Sequence, residues 1–247
     1  MRDTHLIMGM PITIEVVGAS APTPLKAAFA YFRDVDARFS PFRPDSEVSR
    51  FNRGELAERN ISGELREILL LAEITRQETN GYFDIRRPDG LHDPSGLVKG
   101  WAIRNAARLL NGGGYADYFI EAGGDIQCAG RNPNGEPWRI GIRNPFAERE
   151  TVKAIQPGNA GVATSGSYVR GQHIYDPRNG EALAEIVSLT VVADDIYDAD
   201  RFATAAFAMG HKGISFVESI SGLEGYAIDR QGIATMTSGF KQMVVTC

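Results

Sequence analysis

Cysteine is nearly absent from this chain of 247 residues, which carries only Cys128 and Cys247. Because one of the two is the last residue, a framework of disulfides of the kind that staples small secreted domains is excluded. The chain also lacks an apolar run of about 18 residues, so no membrane insertion is expected. Basic residues are not in excess either, and the net charge of −5 argues against nucleic acid as a partner.

The first five residues, 1–5, contain no long apolar stretch, and no lipoprotein cysteine lies near them. We therefore expect no signal peptide and a cytoplasmic protein, or a periplasmic one if the N-terminus has been trimmed. The chain is 43% hydrophobic and 23% charged, which is typical of a globular protein. This composition leaves assembly into a homo-oligomer open.

Helical and strand patterns are both present, and they occur in clusters rather than in strict alternation. This order favours an α+β fold over a doubly wound sheet. Because no long linker or repeat divides the chain, we predict one compact unit over 1–247, with two lobes. Helices are predicted over 24–38, 63–79, 98–110, 200–209 and 212–220. Strands are predicted over 5–17, 118–120, 126–129, 138–142, 152–155, 161–165, 186–193, 224–229 and 233–237. A polar loop is predicted over 39–52.

The stretch from Asp93 to Gly130 combines polar groups and glycines at a density that a plain core does not need. Lys99 is predicted at the start of a helix, where a cation and free N–H groups together suit a phosphate; a solvated lysine is the alternative. The sequence Gly123-Gly-Asp125 either brings backbone N–H groups to a ligand or forms a tight turn. These features predict an anionic, nucleotide-like ligand, although the glycine patterns of dinucleotide-binding and Walker motifs are absent.

Asp200 and Thr204 are four residues apart and share one face of a predicted helix. A carboxylate and a hydroxyl at this spacing suit a hard cation such as Mg²⁺. Alternatively, Asp200 caps the helix and Thr204 packs against neighbouring side chains.

His173 lies between Arg170 and Asp176 in the sequence. This placement suits a general base or a ligand contact, and equally a strand histidine bonded to Asp176.

Two further features are candidates for ligand contact. Phe39 and Phe42 lie in the predicted loop, where exposed rings can stack on a planar ligand. Alternatively, the two rings pack into the interface between the predicted lobes. Ser165 and Ser167 lack the G-x-S-x-G pattern of a nucleophile, so we interpret their segment as a binding loop.

Seven motifs follow one another in an order that resembles a single family over about residues 8–210. They are Phe39-Ser-Pro-Phe-Arg-Pro-Asp-Ser-Glu-Val-Ser-Arg-Phe-Asn52, Gly81-Tyr-Phe-Asp84, Asp93-Pro-Ser-Gly-Leu-Val-Lys-Gly-Trp-Ala102, Glu121-Ala-Gly-Gly-Asp125, Ala163-Thr-Ser-Gly-Ser-Tyr168, His173-Ile-Tyr-Asp-Pro177 and Ala199-Asp-Arg-Phe-Ala-Thr-Ala205. Together they resemble the ApbE family, the FAD:protein FMN transferases.

The resemblance implies an ApbE-like, T-fold-like α+β fold with two lobes around a nucleotide cleft. It implies Mg²⁺-dependent transfer of FMN from FAD to a Thr or Ser hydroxyl of an acceptor flavoprotein, with release of AMP. Two other functions use the same motifs and stay open: a FAD pyrophosphatase, in which water replaces the acceptor hydroxyl, and a non-catalytic flavin-binding protein. A protein whose glycines serve only as turns is the fourth possibility.

The resemblance also implies which residues form the site. Asp200 and Thr204 would provide metal-binding side chains, and Gly96 a backbone carbonyl. His173 and Asp200 are the candidate catalytic residues, with His173 near the reacting phosphate. The flavin nucleotide would contact Met8, Phe39, Phe42, Tyr82, Phe83, Asp84, Asp93, Lys99 and His173.

Three positions depart from the family pattern. Met10 stands where a small residue often follows the opening Met-Gly, and Arg104 stands where an aspartate often follows the lysine-glycine motif. Phe42 replaces a tyrosine, so a phenol hydrogen bond is lost while stacking is retained.

Overall fold

Strands and helices are both abundant in the computed structural model, which describes residues 1–166, 177–178, 180 and 185–245. The fold is α+β, as predicted. The strands are β1 (Arg2–Ile7), β2 (Met10–Val16), β3 (Tyr118–Ala122), β4 (Asp125–Ala129), β5 (Ile140–Asn144), β6 (Ala147–Ile155), β7 (Ala160–Gly166), β8 (Ile186–Ala193), β9 (Glu224–Asp229), β10 (Ala234–Met236) and β11 (Val244–Val245). The helices are α1 (Thr23–Phe39), α2 (Glu47–Asn52), α3 (Gly63–Glu78), α4 (Ser95–Gly112), α5 (Ile196–Ala208) and α6 (Gly213–Glu218).

Eight strands form the main sheet, in the order β1-β2-β3-β4-β7-β8-β9-β10. Every neighbouring pair in it is antiparallel. A smaller sheet has the order β11-β6-β5 and is antiparallel as well. Since antiparallel neighbours can be joined by short turns, this topology agrees with the clustered strand patterns of the sequence.

The main sheet is buried on both faces, because successive side chains of a strand point to opposite sides. In β7, for example, Ala163 packs into the helical layer, whereas Val162 packs into the layer of the smaller sheet. Leu25, Phe29 and Phe32 of α1 recur at helical spacing and are buried on the helical side. The core therefore consists of two apolar layers with the main sheet between them.

None of the helices in the described residues is both long enough and apolar enough to cross a bilayer.

Helix α5 lies directly on the main sheet and on α4, and glycines permit both contacts. A methyl group at Gly161 in β7 would lie 2.2 Å from the backbone nitrogen of Ile196. A methyl group at Gly100 in α4 would lie 2.8 Å from Cβ of Asp200 and 2.9 Å from the carbonyl oxygen of Ile196. Because real Cβ atoms do not approach other atoms this closely, the two glycines set the position of α5.

Several predicted elements have the predicted bounds. Strands β8 and β9 span 186–193 and 224–229, as predicted. Helix α3 begins at Gly63, and the Ser62 hydroxyl accepts a hydrogen bond from the N–H of Leu65 at 3.1 Å, which confirms Ser62 as its N-cap.

Other predictions of local structure are wrong. The single strand predicted over 5–17 is the hairpin of β1 and β2, which turns at Met8 and Gly9 with φ of 55° and 72°. Positive φ at both central residues is the geometry of a two-residue hairpin turn, but Met-Gly is a weak turn signal. The loop predicted over 39–52 contains α2, whose N-cap Ser46 accepts a hydrogen bond from the N–H of Ser49.

Two helices begin earlier than predicted, and this changes how their polar residues are interpreted. Helix α5 begins at Ile196, with the Asp195 carboxylate accepting the N–H groups of Tyr197 and Asp198. Asp200 therefore lies in the second turn and does not cap the helix. Helix α4 begins at Ser95, so Lys99 lies in its second turn rather than at its start.

We predict that Gly161→Ala destabilises the protein by about 3 kcal/mol, because the new methyl group would meet rigid backbone rather than a flexible side chain. The measurement is the midpoint of urea unfolding. Gly112→Ala is the matched control: it adds a methyl group in α4 where nothing lies within 4 Å. An equal loss of stability in both variants would contradict close packing at Gly161.

Candidate active site

A cavity of about 940 Å³ opens at the end of the main sheet where the β1–β2 turn, the β3–β4 turn and the end of β7 meet. Its size lies in the range of small-molecule sites. The other walls come from the end of α1, the segment after α3, the first two turns of α4, and the second and third turns of α5. Eleven residues named from the sequence line it: Met8, Phe39, Phe42, Tyr82, Phe83, Asp84, Asp93, Gly96, Lys99, Asp200 and Thr204.

One wall of this cavity carries a buried group of charges. The Nζ atom of Lys99 lies 2.5 Å from Oδ2 of Asp125 and 3.4 Å from Oδ1 of Asp200. The other oxygen of Asp200, Oδ2, accepts the N–H of Gly100 at 2.9 Å. Asp200 is only 3% exposed, and this burial raises the pKa of its carboxyl group, which the Lys99 ammonium opposes and the Asp125 carboxylate reinforces.

The seam between α4 and α5 brings together the three groups predicted to bind a metal. Thr204 lies one turn beyond Asp200 on α5, and a methyl group at Gly96 in α4 would lie 3.9 Å from Cγ2 of Thr204. Gly96, Asp200 and Thr204 all line the cavity. The sequence spacing and the helix packing thus place a carboxylate, a hydroxyl and a carbonyl-bearing residue at one wall.

These groups fit a small, hard cation. Within 1–166, 177–178, 180 and 185–245, no group of three or more His, Cys, Asp or Glu side chains is placed to hold a metal ion. One carboxylate with neutral oxygens therefore leaves most of the coordination to water and to substrate oxygens. That is the coordination Mg²⁺ prefers, since it dehydrates reluctantly and binds through few carboxylates.

The start of α4 is fixed by Asp93. Its Oδ1 accepts both the N–H and the hydroxyl of Ser95, at 3.1 and 2.5 Å. This carboxylate satisfies a helix N-terminal donor and so takes the place of a side-chain cap at Pro94, which makes none. Asp93 therefore has a local structural role in addition to its place in the cavity wall.

The aromatic residues of the cavity differ in exposure. Phe39 is the last residue of α1, is 1% exposed and packs edge-on against Trp101 with ring centroids 5.9 Å apart. The prediction of an exposed loop residue is therefore wrong for Phe39, because the helix continues through it. Phe42 is 83% exposed at the cavity, as predicted, and Phe83 is buried.

Three other predictions have different outcomes. The predicted turn at Gly123-Gly-Asp125 is present, and Gly123 also lines the cavity, so turn and ligand approach are compatible there. Ser165 lines the cavity as well, but it lies in strand β7 rather than in a loop. His173 and Ser167 lie outside the described residues.

The sequence model of the ApbE family matches residues 8–89 and 86–227 of this chain. The chain belongs to the ApbE family. The resemblance drawn from the seven motifs is thereby confirmed.

Curated ApbE relatives include two enzymes named FAD:protein FMN transferase. The chain is 36% identical to the one from Vibrio cholerae serotype O1 over 143 residues, which are 53% of this chain and 43% of that protein. It is 30% identical to the one from Escherichia coli K12 over 186 residues, which are 70% of this chain and 53% of that protein. The chain spans about half the length of the curated relatives it matches.

Solved ApbE structures share the fold. The flavin transferase ApbE from Vibrio cholerae superposes with a TM-score of 0.86 at 25% identity, over 98% of each chain. The ApbE protein from Thermotoga maritima gives a TM-score of 0.87 at 20% identity, over 100% of this chain and 99% of the other. The ApbE-like α+β fold is therefore shown.

Two contacts made by residues of the cavity wall were not predicted from the sequence. Asp125 forms an ion pair with the Lys99 ammonium. The only sequence signal for Asp125 was its position after two glycines. The guanidinium of Arg178 lies over the ring of Tyr82, 3.4 Å from the centroid. An arginine that stacks on a distant tyrosine has no local sequence signal, because the pairing depends on tertiary structure.

We predict that Phe42→Ala weakens binding of FAD, the ligand implied by the ApbE resemblance, about fivefold, because a stacking surface is lost. The free energy of unfolding should change by less than about 0.5 kcal/mol, since the ring is exposed. Fluorescence titration and urea unfolding measure the two effects.

Two variants serve as references for this prediction. Phe39→Ala should cost about 3–5 kcal/mol of stability, because it removes a core ring. Phe146→Ala removes a ring that is 58% exposed and lies outside the cavity, so it should change neither quantity. Equal FAD affinity in the Phe42 and Phe146 variants would refute a stacking role for Phe42.

Proposed function

We propose that this protein transfers FMN from FAD to a Thr or Ser hydroxyl of an acceptor flavoprotein, in an Mg²⁺-dependent reaction that releases AMP. The observation that carries the proposal is the meeting of Gly96, Lys99, Asp200 and Thr204 at one wall of a single cavity. Support also comes from the names of the ApbE relatives, which are FAD:protein FMN transferases.

In this proposal the first two turns of α4 and the second and third turns of α5 hold the diphosphate end of FAD. The Asp200 carboxylate, the Thr204 hydroxyl and the Gly96 carbonyl hold the cation, which when bound neutralises charge on the phosphates. The Lys99 ammonium lies at the same wall and adds a positive charge near the leaving phosphate.

The flavin end of FAD would occupy the remainder of the cavity. Phe42 offers an exposed ring face, Tyr82 lines the wall with the Arg178 guanidinium over one face of its ring, and Phe83 is a buried part of the lining. Asp84 accepts the N–H of Arg86 with one oxygen at 2.8 Å, which fixes its carboxylate in the segment after α3. Met8 is held in the β1–β2 turn at positive φ, which sets the direction of its side chain.

The reaction balances without any further reactant. The acceptor hydroxyl oxygen forms a bond to the FMN phosphorus, the bond from that phosphorus to the bridging oxygen breaks, and AMP leaves with the bridging oxygen. The hydroxyl proton needs an acceptor, for which we propose His173 on the basis of its motif. The product is FMN joined to the acceptor by a phosphodiester.

We predict that the protein, incubated with FAD, Mg²⁺ and an acceptor peptide that contains threonine, forms a covalent fluorescent flavin adduct and one AMP per adduct. Mass spectrometry and chromatography measure the two products. Removal of Mg²⁺ with EDTA should abolish both. AMP without an adduct, in amounts independent of acceptor, would support the pyrophosphatase instead.

We predict that Asp200→Asn lowers turnover by at least about 100-fold, because the cation that would stabilise the developing phosphate charge loses its carboxylate, and loss of one such electrostatic stabiliser costs about this much. FAD affinity should fall less than tenfold, since most of the cavity is unchanged. Asp198→Asn is the matched control: Asp198 pairs with Arg201 on the same helix and lies outside the cavity. Equal losses of affinity and rate in Asp200→Asn would contradict a role in turnover.

A further inference from the structure

We propose that Asp125 is a positioning residue that holds the Lys99 ammonium nearer to itself than to Asp200, so that the Asp200 carboxylate stays open to the divalent cation. The inference rests on the proposed function and deepens it. It assigns a role to the side chain of Asp125, to which the family resemblance gives none.

The backbone around Asp125 is fixed from two sides. Asp125 is the first residue of β4 and pairs with Ala122 across the two-residue turn. Gly123 and Gly124 have φ of 60° and 97°, and the N–H of Gly124 donates to Oε1 of Glu121 at 2.9 Å. A side chain that leaves such a constrained strand end has little freedom to move, which suits a positioning role.

The two oxygens of Asp125 have different partners. Oδ1 accepts the N–H of Thr164 in β7 at 3.2 Å, and Oδ2 lies 2.5 Å from Nζ of Lys99. Asp125 therefore joins β4, β7 and α4 at the cavity wall. Because Asp125 is only 1% exposed, little water competes for its carboxylate.

The distances show where the ammonium is held. Nζ of Lys99 is 2.5 Å from Asp125 and 3.4 Å from Asp200, so the nearer carboxylate is the one on β4. The attraction between opposite charges rises as their separation falls, and it is stronger at buried positions than in water. Without the charge of Asp125, the ammonium would be drawn onto Asp200.

The net charge of this group explains why that matters for a cation. Asp125, Lys99 and Asp200 together carry −1 when all are ionised, which attracts Mg²⁺. Loss of the Asp125 charge would bring the sum to zero and tighten the existing pair between Lys99 and Asp200, which Mg²⁺ must then break. The sequence places the three residues 26 to 101 positions apart, and only the folded chain brings them together.

The Asp125→Asn variant distinguishes a positioning role of the Asp125 charge from a purely structural role of its side chain. The asparagine side chain keeps the shape of aspartate, and its carbonyl can still accept the N–H of Thr164, but it carries no charge for Lys99. We expect the Mg²⁺ concentration that gives half of the maximal Mg²⁺-dependent rise in melting temperature, at saturating FAD and without acceptor, to increase about tenfold.

The double variant Lys99→Met, Asp125→Asn supplies the decisive comparison. It removes both charges and leaves Asp200 alone with its charge of −1, so the Mg²⁺ midpoint should return to within about threefold of the parent value. A structural role for Asp125 would instead make the double variant bind Mg²⁺ as weakly as Asp125→Asn or more weakly. If Asp125→Asn does not fold, the double variant is compared with the parent protein. A Mg²⁺ midpoint within about threefold of the parent value supports the positioning role, and an increase of about tenfold or more contradicts it.

Two reference measurements separate the failure of this inference from the failure of the proposed function. Asp198→Asn removes a carboxylate from α5 outside the cavity and should leave the Mg²⁺ midpoint unchanged. A parent protein that shows no Mg²⁺-dependent rise in melting temperature would overturn both the proposed function and this inference. A parent that responds, with Asp125→Asn responding at the same Mg²⁺ concentration, would overturn the role of Asp125 alone.

Discussion

The direct backbone contact between α4 and α5 is the constraint on which the site depends. Gly100 lets Asp200 and the Ile196 carbonyl approach the α4 backbone, and the N–H of Gly100 donates to Asp200. A larger residue at position 100 would move the two helices apart, and with them Lys99 and Thr204. The site thus rests on one small residue that contributes no side chain to it, because helix separation sets the distances between groups on different helices.

The main sheet makes this contact rigid. Gly161 in β7 lies against the first residue of α5, so the helix cannot shift toward or away from the sheet without a clash or a gap. Both faces of the sheet are covered by apolar layers, which resist bending of its strands. The β1–β2 and β3–β4 turns at the cavity are therefore attached to a rigid sheet. Functional loops are usually held in this way by a rigid scaffold.

Sequence patterns were sufficient for the fold class, for most elements and for eleven residues of the cavity wall. The helical period identified α1 and α3, and a β-branched run identified β8, because these signals are local. The turn at Met8, the buried state of Phe39 and the pairing of Lys99 with Asp125 were not predictable in this way. Each depends on which segments pack together, and the backbone dihedral of Met8 or the burial of Phe39 is decided by that packing rather than by neighbours in the sequence.

The cavity draws its walls from segments that range from the β1–β2 turn to the third turn of α5, which is most of the length of the chain. Such a pocket is complete only when the entire domain has formed, because a fragment that ends before α5 would lack Asp200 and Thr204. Ligand occupancy would then act as a reporter of global folding. Any molecule that fills the cavity would stabilise the whole chain by mass action rather than one segment of it.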